Sequence, residues 1–543
     1  MPLKDPAKLH VLVVDDFSSF RSTMTSMLNK LGVKNIEEAS KAFEVLKWCK
    51  ERKFDLIFCD YNLGPGKNGQ QILEELRFRK MISRHTLFVM VTAEASKDMV
   101  LSAYDCEPDD YLMKPLNLQV LEQRVTRLVQ TRDALVKVYK LIEAEELVEA
   151  IDELTLLVEQ RGRHTSIAQK LLGELLLQQH RYEEAEGLYR QVLQDGRRID
   201  WAVLGLAKVH YAQGDTEGAK QELSELIDES RLFLPAHDEI ANILERERDL
   251  DALQLSVERA VELCPRSILR QRRLAQVAEN NGDVVRTLQA AGDAMKLGEF
   301  SCHQDSSDAL RFLNAAANSL EHNVEVEKFD VLEESKRCLD KLMSGRSLDI
   351  PQELHGRLLM ARVQALSGRV EDAKSAVREQ AALLQEHAGK NIDVDLAYVA
   401  FLNSTGQTAD ANAHLKTIAE LYAKDPASME KLDKLLPEPR SEANRRRVAQ
   451  LNKTGIELYK EGYYDEALRF FNRAMLLYPR HVGLQLNRLQ TLIAKVKAEP
   501  SDDVLRQQLQ EQLEKVGSLL AADPNPAQLE RFRQLRDKTR LVA

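Results

Sequence analysis

Over its first 125 or so residues the chain alternates between two patterns. Short, nearly uninterrupted apolar runs give way to longer stretches whose apolar positions recur every three or four residues. The runs are LHVLVVDD around Val11–Val14, FDLIFCD ending at Asp60, LFVMVT ending at Thr92, and DDYLMKP closing on Lys114-Pro115. They predict strands near 10–14, 55–59, 87–91 and 109–112, with another near 33–38. The intervening stretches predict helices near 18–30, 40–51, 69–79, 96–104 and from 117 onward. Strands without polar alternation are buried on both faces, as in parallel sheets. Five strand–helix units of this kind predict an α/β doubly wound sheet of five parallel strands, with its site beyond the strands' carboxyl ends.

Each of four runs delivers a polar group at that end: Asp15 and Asp16, Asp60, Thr92, and Lys114. Alone, Asp-Asp after a strand is an ordinary turn or cap, and Lys-Pro an ordinary loop. All four in order at strand ends point to one site. Three clustered carboxylates repel unless a cation shares them, and an all-oxygen set suits Mg²⁺. One carboxylate could then act as a nucleophile and accept a phosphoryl group. Lys114 would neutralise phosphoryl charge and the Thr92 hydroxyl would donate to a phosphoryl oxygen, which supplies the positioning that phosphoryl transfer needs.

On these motifs, residues 8–128 resemble the receiver domain of two-component response regulators, a flavodoxin-like fold. The resemblance implies that Asp60 is the phosphoacceptor, charged by a histidine kinase or phosphotransfer protein. It implies that Asp15, Asp16, Asp60 and the backbone carbonyl of Asn62 hold Mg²⁺. Thr92 and Lys114 match the phosphoryl-binding pair, Tyr111 matches the switch aromatic, and the Lys114-Pro115 bond is expected to be cis. Two departures stand out. The loop YNLGPGKNG after Asp60 is richer in glycine and about one residue longer than usual, and Cys106-Glu107-Pro108 replaces a customary Gly-Ala pair. Neither removes a chemical group.

The last receiver helix runs on without Gly or Pro through LNLQVLEQRVTRLVQTRDALVKVYKLIEAEEL. Leu121, Leu128, Leu135 and Ile142 repeat every seven residues, and Leu118, Val125, Arg132 and Tyr139 form a second series. A two-stranded coiled coil fits this pattern, which would make a second copy of the chain a partner through the 118–142 helix or the receiver face. The other reading packs the first half on the receiver and the second half on the next helices. Arg132 interrupts the seam and favours that second reading.

Beyond residue 150 the pattern becomes a repeat. Leu172-Gly173, Leu206-Ala207, Ile240-Ala241 and Leu274-Ala275 follow one another at steps of 34 residues, and Ala185 and Ala219 share that step. The stretch NKTGIELYKEGYYDEALRFFNRAMLLYP places Gly455, Gly462, Ala467, Phe471, Ala474 and Pro479 at the spacings of a tetratricopeptide repeat (TPR). Small residues there let paired helices approach closely, and Phe471 fills the gap to the next pair. The resemblance extends over 166–299, with weaker units around Ala373 and Ala411. Residues 300–355 break the register, 424–445 reads as a linker or bend, and 503–543 reads as capping helices. The expected domains are a receiver at 1–128, a connector at 129–160, repeats at 161–299, an irregular helical region at 300–445, and a final repeat with caps at 446–543. An all-α TPR-like solenoid thus follows the α/β domain.

Composition narrows the function classes. The 543 residues exceed one core, while 44% hydrophobic and 30% charged content indicates a globular protein. A net charge of −10 gives no global attraction to nucleic acid or anionic membrane. Six cysteines without a CxxC pair argue against a zinc site or a disulfide framework. No signal peptide or membrane span is expected, which points to the cytoplasm. The helical half shows no catalytic constellation and no basic recognition helix. The expected function is therefore that of a response regulator whose output is binding of an unidentified protein, rather than DNA binding or enzymatic turnover. The alternatives are a phosphate sink or shuttle whose repeats dock a kinase, a nucleic-acid-binding solenoid, and an enzyme with its site in 300–445.

Overall fold

The computed structural model describes residues 5–93, 108–194, 199–324, 330–344, 348–433, 435–436, 440–499, 503–522 and 525–539. Five parallel strands form one sheet: β1 (His10–Val14), β2 (Asn35–Ala39), β3 (Leu56–Asp60), β4 (Leu87–Thr92) and β5 (Asp110–Met113), in the order β2-β1-β3-β4-β5. Around it lie α1 (Ser18–Lys30), α2 (Ala42–Glu51), α3 (Gly69–Phe78) and α4 (Leu118–Glu143). Strands and helices fall where the pattern predicts them. The helix expected at 96–104, and Cys106-Glu107, lie outside the described residues.

Alternation along the buried strands explains the two layers. Val11 and Val13, Leu56 and Phe58, Val89 and Val91 point to one face, where Met24, Leu28, Leu121 and Val125 cover them. Leu12 and Val14, Ile57 and Cys59, Phe88 and Met90 point to the other, against Val45, Ile72, Leu73 and Leu76. Register aligns the carboxyl ends: Val14 pairs with Cys59, Asp60 with Val91, and Thr92 with Met113. That alignment is what gathers the polar ends.

The heptad series in α4 is accounted for within the chain. Leu121, Val125, Leu128 and Val129 belong to the receiver core, whereas Leu135 and Val138 belong to the first helical core. Between them Arg132 is largely buried and reaches Asp55 at 3.1 Å and Asp133 at 2.7 Å. The helix changes partners midway, and the coiled-coil reading gives way to packing. The faces it would need are covered.

Helices α5 (Leu147–Glu159), α6 (Thr165–Gln178), α7 (Tyr182–Leu193), α8 (Asp200–Ala212) and α9 (Thr216–Glu229) continue the same compact unit, which comprises Met1–Ala278 and Arg286–Asp308. The repeat is built on small residues at close approaches. Tyr189, 2% exposed, lies between Gly173 and Gly205. A Cβ on Gly173 would come within 2.5 Å of the tyrosine oxygen, and one on Gly205 would stand 2.2 Å from the nearest ring carbon. Both glycines are required by the tyrosine.

The second unit comprises Glu279–Val285 and Ala309–Ala543 and is helical. In its last part a Cβ on Gly455 would stand 2.7 Å from the Phe471 ring, the same device as Gly173 against Tyr189. The stretch expected as a linker near 424–445 is tied down. It carries a short helix, Pro426–Leu432, followed by the fully buried Asp433. That carboxylate accepts from the Arg440 amide at 2.7 Å, Asn444 at 3.2 Å and Tyr478 at 2.7 Å, and from the Ser441 hydroxyl. One buried acid thus ties Arg440, Ser441 and Asn444 back to the end of this short helix.

Candidate functional site

β1, β3, β4 and β5 bring the predicted residues to one edge of the sheet. Asp15 is fully buried just beyond β1, Asp16 beside it is exposed, and Asp60 at the end of β3 is 6% exposed. One carboxylate oxygen from each lies within 4.8 Å of the other two. Lys114, immediately after β5, spans Asp15 at 2.7 Å and Asp60 at 3.0 Å. Its backbone amide donates to the Thr92 carbonyl at 2.8 Å, so Thr92 and Lys114 are held together at the sheet edge. The Lys114-Pro115 bond is cis, as the resemblance implies. Tyr111 pairs with Met90 and packs, partly buried, against the second core layer. Asn62 stands in the exposed start of the β3–α3 loop, where its side chain accepts from the Gly64 amide at 3.2 Å.

The electrostatics follow from crowding. Burial pushes the Asp60 carboxyl above its ordinary range; Lys114 opposes the shift, while Asp15 and Asp16 add to it. Burial alone would lower the Lys114 ammonium, but its bonds to Asp15 and Asp60 outweigh that and leave it raised. Two of the three clustered carboxylates, Asp15 and Asp60, therefore share one ammonium, with Asp16 close by. Such an all-oxygen, electron-rich donor set fits a hard divalent ion.

Several supports carry no motif signal of their own. Arg21, one helical turn into α1, donates to the carbonyls of Asp15 at 2.7 Å and Asp16 at 3.3 Å and so pins the acidic turn. Glu38 on β2 steadies Arg21 at 3.3 Å. The Phe20 ring centroid lies 4.3 Å from the Lys114 ammonium, a cation–π contact. Gly69 opens α3 hard against the chain at Asp60: a Cβ there would collide with the Asp60 carbonyl and sit 2.9 Å from the Met90 sulfur.

A five-stranded doubly wound sheet with an acidic triad, a threonine and a lysine at its carboxyl edge defines the receiver class of signalling domains. The response regulator receiver domain family matches residues 11–126, and a tetratricopeptide repeat family matches residues 176–235. The chain is 31% identical over 122 residues to the chemotaxis protein CheY of Pseudomonas aeruginosa, covering 97% of that protein and 22% of this chain. It is 29% identical over 122 residues to chemotaxis protein CheY-3 of Vibrio cholerae, covering 92% of that protein. Among solved structures, Vibrio cholerae CheY4 matches with 26% identity over 22% of this chain and 98% of that one, with a TM-score of 0.21. The chain belongs to the response regulator receiver family, and it joins that domain to tetratricopeptide repeats. Among the described residues no helix is long and apolar enough to cross a membrane.

Proposed function

We propose that this protein is a two-component response regulator phosphorylated on Asp60, with its output a protein interaction made by the helical repeats. The supporting observation is the convergence of Asp15, Asp16 and Asp60, with Lys114 bridging Asp15 and Asp60. The phosphoryl donor is a phosphohistidine on a kinase or phosphotransfer protein. An oxygen of the Asp60 carboxylate attacks phosphorus in line as the bond to the histidine nitrogen breaks, which leaves an acyl phosphate on Asp60. Asp15, Asp16, Asp60 and the Asn62 carbonyl would hold Mg²⁺, which when bound neutralises negative charge on the phosphoryl oxygens. Lys114 keeps its bond to Asp15 and turns the other toward the phosphoryl group, and the Thr92 hydroxyl donates to a second oxygen.

The switch then works through residues that already link the site to the rest of the chain. Thr92 drawn toward phosphate vacates space beside β5, into which Tyr111 packs more deeply. The start of α4 lies next to that strand, and its later turns belong to the first helical core. A shift of α4 thereby biases the repeats between two states. The proposed division is a receiver at 1–128, a connector at 129–160 and repeats beyond. Acetyl phosphate with Mg²⁺ tests the chemistry: it should label the wild type and leave Asp60→Asn unlabelled. Labelling that persists in Asp60→Asn would place the phosphate elsewhere and remove the reading.

A further inference from the structure

A second group of metal-ligating side chains lies outside the acidic pocket, and it joins residues more than two hundred positions apart. Glu74 is on α3 of the receiver. Cys302 and His303 lie in the turn after the helix Val284–Gly298 of the repeats. The three side chains each place one donor atom within 4.8 Å of the other two. Glu74 Oε1 stands 3.2 Å from His303 Nε2.

We propose that Glu74, Cys302 and His303 bind a zinc-class divalent cation that clamps the receiver's third helix to this turn. The donor set is one thiolate, one imidazole and one carboxylate. Thiolate and imidazole select a borderline-soft ion such as Zn²⁺ over Mg²⁺, which prefers oxygen alone. The geometry agrees: oxygen and nitrogen ligands each about 2.0–2.1 Å from a tetrahedral zinc lie ~3.3 Å apart, close to the observed separation. All three residues are half-buried, with the Glu74 and His303 side chains 16% and 19% exposed. Three protein ligands with partial solvent access leave a fourth position for water.

The ligands are held from behind. Arg272 donates to the His303 carbonyl at 2.7 Å while it is paired with Asp308 at 2.8 and 2.7 Å. The His303 amide donates to the Ser301 hydroxyl at 3.1 Å, and Ser301 is 9% exposed. The Phe78 ring meets the imidazole edge-on, with centroids 5.0 Å apart. Glu75, next to Glu74, is engaged by Lys67 and by Arg79 at 2.9 Å, so the neighbouring acid is committed to ion pairs of its own. Burial raises the Cys302 thiol, and Glu74 and Glu75 raise it further. A cation at this place reverses that field and favours the thiolate.

The absence of a CxxC pair excludes only ligand sets that are local in sequence. This one is assembled by the fold and is independent of whether Asp60 is phosphorylated. Cobalt titration of the full chain in excess Mg²⁺, which occupies the acidic pocket, is the test. The wild type should develop a thiolate-to-cobalt charge-transfer band that saturates at one ion per chain and is displaced by Zn²⁺. Cys302→Ser should lose the band, and Glu74→Gln should keep it with affinity reduced by at least about tenfold. The absence of a band in the wild type, or a band that survives Cys302→Ser, would overturn the proposal. Glu74→Gln binding cobalt as tightly as the wild type would remove Glu74 from the site.

Discussion

The receiver and the helical repeats use polar and small residues in opposite ways. In the receiver, four strand ends deliver Asp15, Asp60, Thr92 and Lys114 to one edge, and Lys114 alone bridges two of the acids. In the repeats the decisive residues are those that leave room, such as Gly173 and Gly205 on either side of Tyr189. Chemistry concentrates where separate chain segments converge; a binding scaffold spreads its energy along a stack of similar contacts. One substitution can therefore abolish the receiver's function without unfolding it. In the helical region a substitution acts mainly through stability.

The largest stability effect is expected from the buried Asp433 of the second unit. Asp433→Ala leaves the Ser441, Asn444 and Tyr478 donors without their shared acceptor and should cost about 3–4 kcal/mol, more than a single charged hydrogen bond. Denaturant unfolding measures it. Burial raises this carboxyl, yet its hydrogen bonds win and hold it below its ordinary value. Its stabilisation is then complete above the unfolded-state value and disappears as pH falls through the lower folded one. A variant that lost stability equally at all pH values would contradict this role.

In the receiver, Lys114→Ala removes the only cation paired with Asp15 and Asp60 among the described residues, and about 2–3 kcal/mol should be lost without metal. Mg²⁺ should restore part of it by binding the folded state. Equal loss with and without Mg²⁺ would break the idea that the ammonium and a metal share one acidic pocket.

A comparable but purely steric cost is expected at Gly205→Ala, about 1–3 kcal/mol, because the new methyl would clash with the Tyr189 ring. Trimming the ring by Tyr189→Leu in the same chain should recover part of the loss. Additive effects in that double-mutant cycle would show that the glycine matters for another reason.

The smallest effect has the opposite sign. The Asp60 carboxyl is raised in the fold, chiefly by burial, so the native state retains its proton longer than the unfolded chain does. Stability through this group declines as pH rises from the unfolded-state value through the folded one. Asp60→Asn should therefore melt higher than the wild type near neutral pH without metal, and the gain should vanish in acid. Thermal unfolding across pH reads it directly.

The difference between the regions also explains what could be read from sequence. Asp15, Asp60, Thr92 and Lys114 were legible because each ends an apolar run, and parallel register turns strand ends into neighbours. Arg132 was legible as an interruption, and it marks where α4 leaves one core for another. Phe20 and Arg21 were not legible, since an aromatic or a basic residue on an amphipathic helix looks like any other until α1 is placed over the sheet edge. Asp433 sat among prolines and charges that resemble a linker, and its partners Asn444 and Tyr478 come from later helices. Glu74 and Cys302-His303 are separated by the whole first set of repeats, so no spacing rule reaches them.

The central claim is that the repeats report the state of Asp60. Hydrogen exchange on the full chain, compared between acetyl phosphate with Mg²⁺ and Mg²⁺ alone, tests it most directly, with Asp60→Asn under both conditions as reference. Phosphorylation should change protection in β5 and α4 and continue into the helices from Leu147 onward, with no change in Asp60→Asn. A change confined to residues before α4, leaving the repeats as they were, would contradict the account.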